Sequence, residues 1–391
     1  MKLRWQPLFL AVFLVFFGRG AFAATDQSVF SVREVPVDAT ATGSVQARDT
    51  AISSGRARAF GALLRRLTLQ SDWSKLPSPQ DADLERLVTG FEVSDERHSA
   101  TRYLARVSYD FDPNGIREIL RGLGIPFAET RSKPIAVFPV LIAPDGKAVL
   151  WDESNLWAAM WRQQPVGQAL APMRVPVGDL EDVSAAVGIN FDAPSWESVK
   201  ATTERVGAAS AIMPFITLRQ TAGKVLADVR MVELSPSGVT EQRFSTDGAD
   251  QDGAMLQSIA VVANAVVEAW KQKMVADDTA INTLTADVNF TDLGQWLTVR
   301  DTLQSVPFIQ AVRIIGLSAS AARVELDYVG SKAQLATGLG QSDLSLMGSD
   351  EEGWTIATSE GPTPPPDAAP APDLMGGVPG GTVDREAASG H

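Results

Sequence analysis

Residues 211–245 read AIMPFITLRQTAGKVLADVRMVELSPSGVTEQRFS, and this stretch decides the fold of the middle of the chain. It holds three segments, Ala211 to Leu218, Val225 to Leu234 and Thr240 to Ser245, each of which predicts a β-strand. The two short connections between them are rich in Gly, Pro and Ser, the residues that form tight turns. The stretch therefore predicts a β-meander.

The elements on both sides of the meander extend it into a mixed α/β domain, which we predict over residues 134–276. Before the meander, the apolar run Ile135 to Ile142 predicts a buried strand, and Asn155 to Arg162 predicts a helix. After it, the apolar residues of Met255 to Met274 recur on one helical face. Strands that alternate with helices before a meander are typical of a mixed α/β domain.

An α+β domain is predicted before this one, over residues 28–128. A strand from Val29 to Val37 with imperfect alternation precedes a long helix that ends near Leu67. Two further strands, Phe91 to Glu96 and Tyr103 to Phe111, form a predicted hairpin.

A short helix closes this first domain, with Asp112 as its N-cap and Pro113 as its first residue. The same segment resembles the first half of a calcium-binding loop. Arg121 stands where that loop needs a bidentate Glu, so the capped helix is the favoured interpretation.

The rest of the chain predicts a small third domain and a tail. Over residues 282–358 the order β-α-β-β-α-β, with its last strand at Leu344 to Leu346, is typical of a ferredoxin-like unit. Residues 361–391 contain 7 Pro and 6 Gly, which predicts a disordered C-terminal tail. The expected fold class is thus α+β and mixed α/β, in three small domains.

The first residues predict the cellular compartment. Lys2 and Arg4 precede ten apolar residues, Leu8 to Phe17, and Ala21-Phe22-Ala23 has the small residues that a signal peptidase reads. We expect residues 1–23 to be a signal peptide, cleaved near Ala23 and Ala24, and the mature protein to be periplasmic. The apolar run is shorter than the roughly 20 residues of a transmembrane helix, so no transmembrane anchor is expected.

Composition excludes several kinds of site and partner. The chain has no Cys and two His, His98 and His391, which excludes thiol nucleophiles, disulfides, multi-His metal sites and a lipidated cysteine. No cofactor is expected. Loss of residues 1–23 would leave 31 basic and 47 acidic residues, a net charge of −16, which disfavours nucleic acid and anionic lipid as partners.

Four tryptophans are the candidate binding residues: Trp151, Trp157, Trp161 and Trp196. Trp157 and Trp161 are four residues apart and therefore share one face of the predicted helix. Such aromatic residues can line a groove for a glycan, lipid or peptide. They can equally pack the helix on a sheet, and this core interpretation is the favoured one.

The first long helix carries five arginines: Arg48, Arg56, Arg58, Arg65 and Arg66. In an acidic protein such a helix could bind an anionic partner. A solvated helix face is the favoured interpretation, because surface helices often carry charge.

Four segments together resemble a family of secreted bacterial proteins called domain of unknown function 2066. They are VFSVREVPV at 29–37, RRLT at 65–68, RYLARV at 102–107 and IAVFPV at 135–140. The resemblance covers about residues 25–275. The family has no assigned activity, so it implies membership and no functional residue.

Each of the first two predicted domains also resembles a domain of an envelope protein. The first is similar to the N-terminal domain of the flagellar assembly protein T. The second is similar in element order to the N-terminal domain of the translocation protein TolB and to lipoprotein activators of peptidoglycan synthases. Those proteins bind other envelope proteins, and the chain departs from the activators by lacking the lipidated cysteine.

Three functions remain open. The leading hypothesis is a non-enzymatic, soluble periplasmic protein that docks onto an envelope protein through exposed strand edges or the aromatic region. The second is a module that binds a glycan, lipid or peptide in a groove lined by the tryptophans. The third is a hydrolase whose carboxylates come together from distant positions.

Overall fold

The computed structural model describes residues 29–78, 84–164, 168–275 and 281–358. Over these ranges the chain is mixed α+β, with three β-sheets and nine α-helices. The predicted signal peptide, 1–23, and the predicted tail, 361–391, lie outside the described residues.

The first sheet has three antiparallel strands, with helices packed around it. The elements are β1 (Ser31–Thr40), α1 (Ser44–Leu67), a 3₁₀ helix (Gln70–Lys75), α2 (Leu84–Leu87), β2 (Val88–His98), β3 (Arg102–Phe111) and α3 (Pro113–Gly122). The strand order is β1-β3-β2. The predicted helix cap is confirmed, because the Asp112 carboxylate accepts hydrogen bonds from the backbone N–H groups of Asn114 and Gly115, both at 3.1 Å.

A β-bulge explains the imperfect alternation of the first strand. The register of β1 on β3 shifts between Val32 and Val35, and Glu34 inside the shift has a φ of 57°. A bulge inserts one residue into the ladder, so side chains before and after it exchange faces. The strand therefore departs from strict period two.

Helix α1 packs closely on the first sheet through a glycine. A Cβ on Gly55 would lie 2.5 Å from both the Tyr109 hydroxyl and Val37 Cγ1. Tyr109 itself donates a 2.7 Å hydrogen bond to the Ile52 carbonyl, and burial raises the pKa of its phenol to about 12. The tyrosine thus remains a donor, and the helix meets the strand at a distance that only glycine permits.

The second sheet is the largest and has helices on both faces. Its elements are β4 (Ile135–Val137), β5 (Val140–Ile142), β6 (Ala148–Val149), α4 (Leu156–Arg162), β7 (Met173–Arg174), α5 (Leu180–Ala186), α6 (Trp196–Arg205), β8 (Ser210–Thr221), β9 (Lys224–Ser235), β10 (Gly238–Gly248) and α7 (Gln251–Met274). The main order is β10-β9-β8-β4-β7, with β5 also on β8 and β6 on β5. One core lies under α4 and α7 and the other under α6. The predicted meander is confirmed as β8, β9 and β10.

The strand predicted over Ile135 to Ile142 is interrupted. Its two pieces, β4 and β5, keep one register on β8, with Val137 beside Ile212 and Val140 beside Phe215. This register sets Pro139 beside Pro214. Neither residue has an N–H to donate, so the ladder is broken there although the chain continues in line.

The third sheet contains one strand more than predicted. Its elements are β11 (Ile281–Asn289), α8 (Leu293–Ser305), β12 (Ile309–Leu317), β13 (Ala321–Val329), α9 (Lys332–Gln341), β14 (Leu344–Ser349) and β15 (Gly353–Thr358). The order is β12-β13-β11-β15-β14. The first six elements follow the predicted order, but β15 takes the place beside β11 and pairs with it in parallel.

Helix α7 is long and apolar enough to cross a bilayer by length and composition. Part of its surface, including Met255, Ile259 and Val262, is buried in the core of the second sheet. A core helix meets the same criterion, so this finding is weak evidence for a membrane span.

A buried lysine joins α7 to the C-terminal end of α1. Lys271 is 1% exposed, and its ammonium lies 2.5 Å from Glu268 Oε1, 2.6 Å from the Thr68 carbonyl oxygen and 3.2 Å from that of Arg65. The C-terminal end of a helix carries partial negative charge and unpaired carbonyls. The ammonium group donates hydrogen bonds to two of those carbonyls, and its burial removes the water that would otherwise hydrate it.

We expect Gly55→Ala to destabilise the protein by about 1–3 kcal/mol, because the added methyl overpacks the contact with Tyr109 and Val37. Gly61→Ala in the same helix is the control. A Cβ at Gly61 meets nothing within 4 Å, so this change should stabilise by about 0.5–1 kcal/mol through helix propensity. Urea unfolding measures both, and equal stabilisation by the two substitutions would contradict the close contact.

We expect Lys271→Met to cost about 3–5 kcal/mol of unfolding free energy, because it leaves Glu268 without its charged partner and two carbonyls without a donor. Lys273→Met, at an exposed position of the same helix, should change stability little. The double variant Lys271→Met with Glu268→Leu should recover part of the loss. Thermal unfolding measures the stability of each variant. Equal stability of the Lys271→Met and Lys273→Met proteins would show that the buried contact contributes nothing.

Candidate functional site

Helix α4 is positioned by a buried asparagine. The Asn155 side chain accepts a 3.0 Å hydrogen bond from Ala158 N at the start of the helix. Its amide nitrogen lies 2.9 Å from the Pro139 carbonyl, 2.8 Å from that of Val149 and 3.0 Å from that of Leu150. Asn155 therefore caps the helix and fixes it to the interrupted strand.

Trp157 and Trp161 point from this helix into the core, and both are 0% exposed. Their rings meet edge to face, with centroids 5.8 Å apart, and Trp157 Nε1 donates a 3.1 Å hydrogen bond to the Pro214 carbonyl. A ligand at the surface could not contact either ring. In this structure the two residues pack the helix on the sheet and do not line a groove.

Trp151 and Trp196 lie on the opposite face of the second sheet. Both are half-buried and pack against the core under α6, where the ring of Trp151 is 5.9 Å from that of Phe138. The structure therefore does not bring the four candidate tryptophans together. Helical spacing placed two of them on one face but could not show that this face is the buried one.

The structure instead has a cleft of about 880 Å³ where the first and third sheets meet. One wall is α3 with the following segment, Phe127 to Pro134, and the other is formed by the ends of α8 and α9 and the start of β12. We call this the junction cleft. Sequence reasoning missed it because its two walls are more than 150 residues apart in the chain, and no local pattern connects them.

The described lining of the junction cleft is rich in cations. It contains Arg117, Arg121, Arg131 and Lys133, against one carboxylate, Glu129. The whole chain has the opposite balance, with 34 basic and 47 acidic residues. Positive charge is thus concentrated in a cleft of an acidic protein.

Three of these side chains have partners among the described residues. Arg117 makes two 2.7 Å hydrogen bonds to the Glu129 carboxylate. Lys133 Nζ lies 2.5 Å from Asp343 Oδ1, and the Arg121 guanidinium lies 5.9 Å from the centre of the Phe127 ring. The Arg117 guanidinium is therefore preorganised, since its two hydrogen bonds fix its orientation before any ligand binds. The exposed Lys133–Asp343 pair and the Arg121–Phe127 contact restrict their side chains less.

A further arginine adds positive charge near the cleft. Arg66 donates hydrogen bonds to the carbonyls of Val29, at 2.9 Å, and Ser31, at 2.7 Å. Burial, and then the positive charge of Arg131, lower the pKa of the Arg66 guanidinium to about 10. It remains charged at neutral pH, so two guanidinium groups repel each other at this edge of the cleft.

One buried hydroxyl in the lining lacks a hydrogen-bond partner among the described residues. Thr130 is 4% exposed, and its Oγ1 has no such partner. A buried polar group without a partner is costly, and such groups often mark a place for a ligand or a water molecule.

The arrangement suits anion binding. Arginine and lysine side chains bind carboxylates and phosphates, and the neutral side chains of Gln304, Gln310 and Gln341 can both donate and accept hydrogen bonds. No group of His, Asp and Glu that could hold a metal ion occurs within the ranges that the structure describes.

No protein-family model matches the chain, and no curated protein matches it.

We expect Trp157→Ala to lower the unfolding free energy by about 3–5 kcal/mol, because it removes a buried ring and leaves a cavity. Trp196→Ala, at a half-buried position on the other face, should cost less. Chemical unfolding followed by circular dichroism measures both. A folded Trp157→Ala protein with unchanged stability would contradict its place in the core.

Proposed function

We propose that the protein is a non-enzymatic interaction module of the bacterial cell envelope, and that its partner docks at the junction cleft. The observation that carries the proposal is the cationic wall, with Arg117 held by two hydrogen bonds, in a protein of net charge −13. Complementary charge accelerates association and selects among partners. The partner surface that fits this wall is acidic.

The size of the cleft supports this proposal. A volume of about 880 Å³ is within the range of sites that bind ligands, roughly 300–1,000 Å³. It is large enough for a segment of several residues from a partner protein. The mixed lining, with Phe127 beside Arg121, offers both apolar and charged contacts to such a segment.

The exposed edge of β10 is a less suitable docking place. Over the described residues this strand pairs with β9 alone, so its other edge is open. Exposed Glu241, Arg243 and Asp247 lie along it. Charged side chains on an edge strand discourage pairing with another chain.

The proposed location is the periplasm. The cationic start, the ten-residue apolar run and the Ala-Phe-Ala site support a cleaved signal peptide over residues 1–23. A Cys-free chain cannot be anchored by a lipidated cysteine, and the acidic net charge disfavours nucleic acid.

We also propose three domains, at 28–128, 134–276 and 282–358. The three sheets support this division, since each contributes most of the residues of its own core, while Ala128, Leu170 and Met274 join the core of the third sheet. The third would be a ferredoxin-like unit extended by β15, and the first two would resemble the flagellar assembly protein T and TolB domains. Membership of the domain of unknown function 2066 family, and a tail over 361–391 without a core of its own, belong to the same proposal.

Site-specific photocrosslinking in intact cells tests the docking place. A crosslinking amino acid replaces either Gln310, exposed in the cleft lining, or Gln242, exposed on β10. We expect one protein adduct from position 310 and none from position 242, with Arg121→Glu reducing the adduct about tenfold or more by charge reversal. Arg243→Glu, an exposed arginine outside the cleft, is the control and should leave the yield unchanged.

An adduct from position 242 alone would move the interface to the strand edge. An adduct from position 310 that Arg121→Glu does not affect would show that the cationic wall does not select the partner. Either result would overturn docking at the junction cleft.

A further inference from the structure

We propose that residues 359–391 of this chain occupy the junction cleft, so that the partner must displace them. This inference rests on the proposed function, because it takes the cleft to be a binding site, and it adds regulation of that site by an intramolecular competitor.

The described chain ends close to the cleft. Thr358, at the end of β15, pairs with Leu344, and Leu344 follows the cleft residue Ser342 by two positions. Paired strands are about 5 Å apart, and two residues span at most about 7 Å. Residue 359 therefore starts within roughly 15 Å of the cleft.

The charge of this segment complements the cleft. Residues 359–391 contain five carboxylates, at Glu360, Asp367, Asp373, Asp384 and Glu386, and one cation, Arg385. The described lining has four cations and one carboxylate, Glu129, and Asp343 pairs with Lys133, which leaves an excess of two positive charges. Opposite charges in a partly enclosed site attract more strongly than in bulk water.

The composition of the segment lowers the cost of binding. Seven of its 33 residues are Pro, whose backbone has few conformations to lose when it becomes ordered. Proline-rich segments bind to grooves lined by aromatic rings. The half-buried ring of Phe127, beside Arg121, offers such a surface next to positive charge.

Tethering makes even a weak contact effective. Asp367 is nine residues beyond Thr358, and nine residues span at most about 30 Å. A short tether gives an effective concentration in the millimolar range, so a separate-peptide Kd of about 0.1 mM would leave the cleft mostly occupied.

Distance measurement by pulsed electron spin resonance on the full chain tests the proposal. The chain has no Cys, so Ala371→Cys and Gln304→Cys introduce the two positions for spin labels, the second in the exposed lining of the cleft. We expect a narrow distance distribution. Asp367→Asn with Asp373→Asn should broaden it into that of a free chain, and so should Arg121→Glu.

Arg243→Glu is the matched control and should leave the distribution narrow, because this exposed arginine lies on β10, outside the cleft. Circular dichroism must show the same unfolding temperature for every variant, so that a broad distribution reports release and not unfolding. A broad distribution in the original chain, unchanged by Arg121→Glu, would overturn the proposal.

Photocrosslinking from position 310 separates this inference from the proposed function. If the segment competes with the partner, Asp367→Asn with Asp373→Asn should raise the adduct yield about threefold or more. If the adduct forms from position 310 but the two substitutions leave its yield unchanged, the segment does not compete with the partner. The proposed docking of the partner at the cleft would then still stand. If the original chain gives neither the crosslinked adduct nor the narrow distance distribution, both proposals are refuted.

Discussion

The buried ammonium of Lys271 is the contact on which the arrangement of the first two sheets depends. It binds the Thr68 carbonyl at 2.6 Å at the end of α1, and Thr68 in turn forms a bridge with Phe127. Ala128 N donates to the Leu67 carbonyl at 2.8 Å, and Trp270 Nε1 donates to the Thr130 carbonyl at 2.8 Å. The segment that forms one wall of the junction cleft is therefore held by the same contact region. A dehydrated charge needs this full set of partners, which leaves little freedom for α7 to shift against α1.

The third sheet is attached through both apolar and polar contacts. Ala128, Leu170 and Met274 lie in the same buried cluster as its core residues. Gln334 donates a 2.6 Å hydrogen bond to the Val275 carbonyl, and the Lys133 backbone N–H donates a 2.6 Å bond to Gln341 Oε1. Lys133 Nζ also pairs with the exposed Asp343. Exposed ion pairs contribute little and are screened by salt. The two walls of the cleft are thus joined through a shared apolar cluster as well as through polar contacts, of which salt screens the exposed Lys133–Asp343 pair.

Local patterns predicted much of the fold, and distant contacts account for what they missed. The long helix, the meander and the Asp112 cap depend on neighbouring residues, which a single sequence shows directly. The break at Pro139 depends on pairing with β8, and the place of β15 depends on its parallel pairing with the distant strand β11. The tryptophans of α4 share one face as predicted, yet burial of that face is a property of the packed sheet. The junction cleft joins segments that only the folded chain brings together.

The paired prolines of the second sheet have a consequence for how this sequence can change over time. Pro139 and Pro214 leave a gap in the ladder, and their carbonyls accept hydrogen bonds from Asn155, at 2.9 Å, and Trp157, at 3.1 Å. A residue with an N–H at either position could close the gap and compete for those carbonyls. A substitution at any one of these four positions therefore changes which residues the other three positions can accept. Among homologues these four positions should covary.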